Sequence, residues 1–197
     1  MARVARSLTL VIAALALLLA VRAVIAEPFT VPSESMEPSL NPGERIIVPK
    51  WPGQRDVARG DIVVFDGSGT FGPVGPPPSA LDRALGTLAG HSADSVYVKR
   101  VIAVGGERIA CCDTRGRLTL DGVALDEPYV SAGDAPSDVT FDVVVPAGRL
   151  WLMGDRRARS KDSRSHRGSP GGGTVSVETV IGPAAFRYWP ADRIGTL

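Results

Sequence analysis

The chain reads as an all-β protein, with antiparallel sheets in a partly open barrel or sandwich behind one N-terminal transmembrane helix. Three observations predict this. Short runs rich in Val and Ile recur after Pro28, bounded by Gly, Pro and Asp. Asp121-Gly122 separates Leu118-Thr119-Leu120 from Val123-Ala124-Leu125, and Asp-Gly accepts the positive φ angles of a tight hairpin turn. A single long apolar stretch lies apart from the rest, before residue 27.

That stretch runs from residue 7 to 26, interrupted only by Thr9 and Arg22. Twenty helical residues rise about 30 Å, the hydrocarbon thickness of a bilayer. Arg22 lies near the far end, where its stem can snorkel to the headgroups. Arg3 and Arg6 precede the span and a large domain follows it, which predicts a cytoplasmic tail of residues 1–6 and an extracytoplasmic domain of residues 27–197. The competing reading is a cleavable secretory signal ending at Val24-Ile25-Ala26.

Strands are expected at Arg45 to Val48, closed by Pro49, and at Asp61 to Phe65. A third runs from Val96 to Ile102, ended by Gly105-Gly106. The Asp-Gly hairpin follows, then strands over 140–145 and 184–189. Residues 67–79 are dense in Gly and Pro and predict a mobile loop. Residues 79–90 then read as a short helix with Ser79 as cap, Leu81, Leu85 and Leu88 on one face, and Gly90 as stop. It packs on the sheet or touches lipid. The domain is expected as a core of residues 27–104 and 146–197 with a β-ribbon inserted at about 105–145.

The length of 197 residues suits one domain plus a short extra element. A formal charge of +1 gives no reason to expect nucleic acid. Two adjacent cysteines, Cys111 and Cys112, cannot staple distant parts of a fold. They are either small apolar strand residues or a vicinal or intermolecular disulfide. Without a cluster of His and Cys, neither a metal nor another cofactor is expected. The oligomeric state is not legible.

Ser35 lies in the Pro-bounded run Pro32-Ser33-Glu34-Ser35-Met36-Glu37-Pro38-Ser39-Leu40, nine residues past the span. A serine there is a candidate nucleophile, but it needs a base. The two histidines, His91 and His166, lack a convincing triad context. A lysine serves if it is neutral, and burial among apolar groups lowers its ordinary pKa of about 10.4. Of the three lysines, Lys50 sits at a strand end and Lys161 in a charged run. Lys99 alone is embedded in a β run, where Tyr97, Lys99 and Val101 share one face. A solvated charge is the ordinary role of such a lysine. With Ser35 present, an inward base becomes the stronger reading.

Four stretches in order resemble the boxes of bacterial type I signal peptidases. They are Pro32 to Leu40, Arg59-Gly60-Asp61-Ile62-Val63-Val64-Phe65, Tyr97-Val98-Lys99-Arg100-Val101-Ile102, and Met153-Gly154-Asp155 running to Asp162-Ser163-Arg164. The resemblance implies a membrane-bound serine endopeptidase of the signal-peptidase fold. It would cleave signal peptides from exported precursors after small residues at −1 and −3. Ser35 would be the nucleophile and Lys99 the general base. Ser33 and the backbone N–H of Ser35 would stabilise the oxyanion. Ser160 would orient the base, with Asp155, Asp162 and Arg164 as supporting charges. Phe29, Val31, Met36, Leu40, Val64, Tyr97 and Val98 match or flank substrate-pocket positions, although each also suits ordinary core packing. The partners implied are precursor proteins and the lipid bilayer.

The chain departs from the pattern in places. Arg156 and Arg159 stand where Asn is usual, and Ala158 replaces a common Asp. Ala103-Val104-Gly105-Gly106-Glu107 stands where Gly-Leu-Pro-Gly-Asp is common, and residues 67–96 hold an insertion. Two other readings remain: a Ser/Lys protease dedicated to one pilin-like substrate, and an inactive membrane-anchored binding module on the same fold.

Overall fold

The computed structural model describes residues 26–50, 57–72, 79 and 95–197. All but Ala26 of the predicted span over 7–26, and most of the predicted 79–90 helix, lie outside these residues. Among the described residues, no helix is long and apolar enough to cross a membrane.

The strands, in chain order, are β1 (Ala26–Thr30), β2 (Arg45–Pro49), β3 (Ile62–Asp66), β4 (Val96–Val104), β5 (Arg108–Cys111), β6 (Leu118–Leu120) and β7 (Val123–Ala124). They continue with β8 (Phe141–Val144), β9 (Arg149–Met153), β10 (Val175–Ser176), β11 (Val180–Pro183), β12 (Phe186–Trp189) and β13 (Gly195–Thr196). Helical structure among them is confined to short 3-10 turns. Three antiparallel sheets result, ordered β1-β2-β12-β13, β10-β9-β4-β3-β11 and β7-β6-β5-β8.

The five-stranded sheet organises the molecule. Its two faces are both covered, which is why β3 reads Ile-Val-Val-Phe without polar alternation. Ile62 and Val64 pack with Met36, Leu40, Ile46 and Val48, beneath the first sheet. Val63 and Phe65 pack with Val101, Leu150 and Leu152 on the opposite face. β4 carries the predicted alternation: Tyr97 and Val101 join the Phe65 cluster, while Val96 and Val98 join the Val64 cluster. The far end of β4 feeds a third core, where Ile102 and Ala103 meet Ile109, Leu118, Phe141 and Trp151.

The Asp-Gly hairpin forms between β6 and β7 with φ of 49° at Asp121 and 81° at Gly122. Several expectations need correction. Ala26, placed at the end of the span, opens β1 and pairs with Pro49. β1 tolerates Pro28 because it is an edge strand. β9 was not anticipated as a strand, only its last residue Met153 falling in a motif, yet it pairs with β4 along most of its length. Residues 67–72 are not a loose loop: the Gly67 carbonyl accepts from the amides of Thr70 and Phe71, and Phe71 is buried in the core. Of the two readings of the cysteines, the structure has Cys111, at the end of β5, disulfide-bonded to Cys112.

Candidate active site

β1 ends at Thr30, and the chain turns through Pro32 and Ser33 into a 3-10 turn, Glu34–Met36. Met36 and Leu40 are fully buried in the core below, so the turn is pinned from beneath. This leaves Ser35 at the rim of the core, 6% exposed. Met36 and Leu40, expected at the substrate pocket, instead anchor the turn that carries Ser35 and line neither the cleft beside Ser35 nor the recess that adjoins it.

Lys99 comes from the middle of β4, paired with Val63 of β3. Its ammonium nitrogen is hydrogen-bonded to Ser35 Oγ at 2.6 Å. Ser33 Oγ donates to the same Ser35 oxygen at 3.2 Å. Lys99 is 4% exposed. Burial pushes its pKa down from an ordinary 10.5 to about 8, against the pull of the Asp162 and Asp155 carboxylates, while Arg164 adds to the lowering.

That pull is muted because each carboxylate has its own cation. Asp155 accepts from Arg100 Nε at 2.8 Å and from Nη2 at 2.7 Å. Asp162 accepts from Arg164 Nε at 2.9 Å and from Nη2 at 2.8 Å. Asp162 also accepts from the Gly154 amide at 3.1 Å, tying the loop after β9 to the segment beyond it. Asp155, Asp162 and Arg164 thus surround the pair without bonding to it. Ser160 Oγ is buried and makes no hydrogen bond, so it does not contact the Lys99 nitrogen as a donor or acceptor.

Arg100 was missed in the sequence. It follows Lys99 on β4 and pairs across the ladder with Met153, two residues before Asp155. Strand alternation indicates that Arg100 faces away from Lys99. Its partner, 55 residues away, is set only by the β4–β9 register. The guanidinium also lies 4.2 Å over the Tyr129 ring and donates to the Gly60 carbonyl. Arg157, equally unanticipated, is buried and paired with Glu127 at 2.6 Å, which links the ribbon's return segment to the site.

Ser35 and Lys99 open into a cleft of about 470 Å³, walled by Val31, Pro32 and Ser33 on one side and by Tyr97 and Val98 on the other. Arg159, Lys161, Phe71 and His166 complete its rim. Sharing the Val31 and Val98 walls is an apolar recess of about 30 Å³ that reaches Phe29, Ile46 and Val64. Five of the expected pocket residues, Phe29, Val31, Val64, Tyr97 and Val98, line this recess. His166 stacks on Phe71, with ring centroids 4.5 Å apart, and its Nδ1 lies 2.8 Å from the Asp162 carbonyl. A carbonyl only accepts, so Nδ1 carries the proton. His91 lies outside the described residues. Among the described residues no group of three or more His, Cys, Asp or Glu is placed to hold a metal ion.

Chemically, the arrangement is a buried hydroxyl against a buried amine of lowered basicity, beside a small apolar recess. Residues 4–189 match the family model described as signal peptidase, peptidase S26. The chain is 34% identical to a probable signal peptidase I of Mycobacterium leprae, over 87% of this chain and 71% of that one. It is 36% identical to signal peptidase I of Mycobacterium tuberculosis, over 88% of this chain and 68% of that one. It is 33% identical to a probable signal peptidase I-1 of a Synechocystis species, over 97% and 85% respectively. With the family model spanning nearly its whole length, this chain belongs to the signal peptidase family, peptidase S26.

Proposed function

We infer that this chain is a signal peptidase I, a serine endopeptidase that removes N-terminal signal peptides from exported precursors by a Ser35/Lys99 dyad. The observation that carries this is the 2.6 Å contact between Lys99 Nζ and Ser35 Oγ, both side chains being buried at the floor of the cleft.

Neutral Lys99 accepts the Ser35 proton as Oγ attacks the scissile carbonyl carbon. The resulting oxyanion is held by the Ser33 hydroxyl and the Ser35 amide; loss of one such donor typically costs ~10²–10³ in rate. Lys99, now an ammonium, passes its proton to the leaving amine, and the C–N bond breaks. A water then gives a proton to Lys99 as its oxygen attacks the acyl carbon; the ester C–O bond breaks, the acid is freed, and Lys99 returns that proton to Ser35 Oγ.

Specificity follows from space. The precursor lies extended between the Val31–Ser33 and Tyr97–Val98 walls, by strand addition. The recess of about 30 Å³ takes one methyl-sized side chain and rejects long ones, which fits a small residue at one of the −1 and −3 positions. Residues 7–25 anchor the enzyme with residues 1–6 in the cytoplasm. The bilayer lies against the sheet that begins at Ala26. Support for that face comes from exposed Phe186, Trp189, Ile194 and Leu197, all in or beside β12 and β13 of the same sheet.

The test uses the full chain in detergent micelles with a model precursor. Ser35→Ala and Lys99→Ala should each abolish cleavage while leaving the melting transition in place. Full activity in either variant defeats the dyad. A panel of unrelated precursors separates a general enzyme from one dedicated to a single pilin-like substrate. Labelling of Ser35 by a serine-reactive acylating probe separates both from an inactive binding module.

A further inference from the structure

Ser35 sits on one short 3-10 turn, and its N-cap residue Ser33 makes no side-chain capping bond. The turn is held from outside by residues 154–159. The Arg156 amide donates to the Ser35 carbonyl at 3.1 Å. The Arg156 side chain then folds back across the turn. Its Nη1 donates to Glu34 Oε2 at 2.9 Å and also to Glu37 Oε2. These carboxylates bracket the nucleophile, one residue before Ser35 and two residues after it. Arg159 adds a longer contact of 3.7 Å to Glu34.

We propose that Arg156 is a positioning residue for the nucleophile, acting through Glu34 and Glu37. Without a cation, the two carboxylates repel across a single turn and the turn opens. The guanidinium reverses the sign of that interaction and draws both ends of the turn onto the segment that also carries the Ser35 carbonyl contact. The quantity at stake is the approach of Ser35 Oγ to Lys99. A displacement of ~1 Å at a reacting group can cost on the order of 10²-fold in rate. The groups are partly exposed, with side-chain exposures of 31% for Arg156, 41% for Glu34 and 28% for Glu37. Salt therefore screens the bridge, unlike the buried Arg100–Asp155 pair.

The inference rests on Ser35 being the nucleophile, and the test separates the two. Full chain in micelles is assayed for precursor kcat and KM and for acylation of Ser35 by the serine-reactive probe. Variants are Arg156→Gln, Arg156→Lys, the pair Glu34→Gln with Glu37→Gln, and the triple variant. Arg156→Gln should slow acylation and kcat about tenfold with KM within about twofold, and Arg156→Lys should recover most of the loss. In the double-glutamine background, adding Arg156→Gln should cost less than about twofold more, because the interaction is already gone. Raising sodium chloride to about 1 M, where the Debye length is ~3 Å, should slow the wild type and speed Arg156→Gln, whose Glu34–Glu37 repulsion the same salt screens, so that the two rates converge.

Wild-type acylation rates in Arg156→Gln overturn the proposal. So does a loss confined to KM, which makes Arg156 a substrate contact, or a loss undiminished in the double-glutamine background. A lowered melting temperature with unchanged acylation also overturns it, by assigning the bridge to stability alone. Failure of the wild type itself to acylate at Ser35 strikes the dyad reading instead.

Discussion

At the residue scale, Lys99 carries opposing demands. A solvated lysine is a charged donor with no lone pair to give. Burial at 4% exposure makes the neutral form accessible and lowers the pKa from 10.5 to about 8. The same burial costs stability. Below about pH 8 the folded state must hold a desolvated ammonium, whereas the unfolded chain keeps it in water. The depression corresponds to something on the order of 3 kcal/mol. Lys99→Met, similar in volume and uncharged, should therefore raise the melting temperature at neutral pH while eliminating cleavage. The gain should shrink as pH rises from about 8 towards 10.5, where the unfolded chain also loses the proton. A melting temperature unchanged or lowered at pH 7 would mean that Lys99 is not penalised by burial. Asp155 and Asp162 do not confuse this test, since Arg100 and Arg164 neutralise them in either protein.

At the element scale, the site is a meeting of two short segments on the rigid β4–β9 ladder. The turn Glu34–Met36 comes from one direction and the run after β9 from the other. Gly154 allows the approach: a Cβ there would lie 2.3 Å from the Ser35 carbonyl oxygen and 2.3 Å from Ser160 Oγ. The Ser35 backbone has little room to yield, because Met36 is locked in the core. Gly154→Ala should push the nucleophile turn away from Lys99 and reduce precursor cleavage at least about 100-fold. Near wild-type cleavage by a folded Gly154→Ala enzyme would show that the two segments are not in contact. Ser160, expected to orient the base, is instead the second neighbour of this glycine, and its hydroxyl is unbonded.

At the scale of the whole molecule, what could be read from the chain was what local chemistry dictates. Strand and turn punctuation gave β2, β3, β4 and the β6–β7 hairpin within a residue or two. Ser35 and Lys99 stood out because a nucleophile needs a base and few residues qualified. What stayed hidden depends on distant register. Arg100 meets Asp155 only because β4 and β9 pair as they do. β9 itself, Arg149–Met153, lacks alternation because it is buried on both faces, and so it was not recognised as a strand. β1 was obscured by its position at the end of an apolar stretch. Met36 and Leu40 matched pocket positions, yet beneath a turn this short their side chains fill the core. The most direct measurement of the central claim is the pH dependence of precursor cleavage by the full chain in micelles, from about pH 5 to about pH 10. The Ser35/Lys99 account predicts a rate that rises about tenfold per pH unit on the acid side and levels off near pH 8, where Lys99 loses its proton. A rate that stays flat down to about pH 5 would contradict a lysine base.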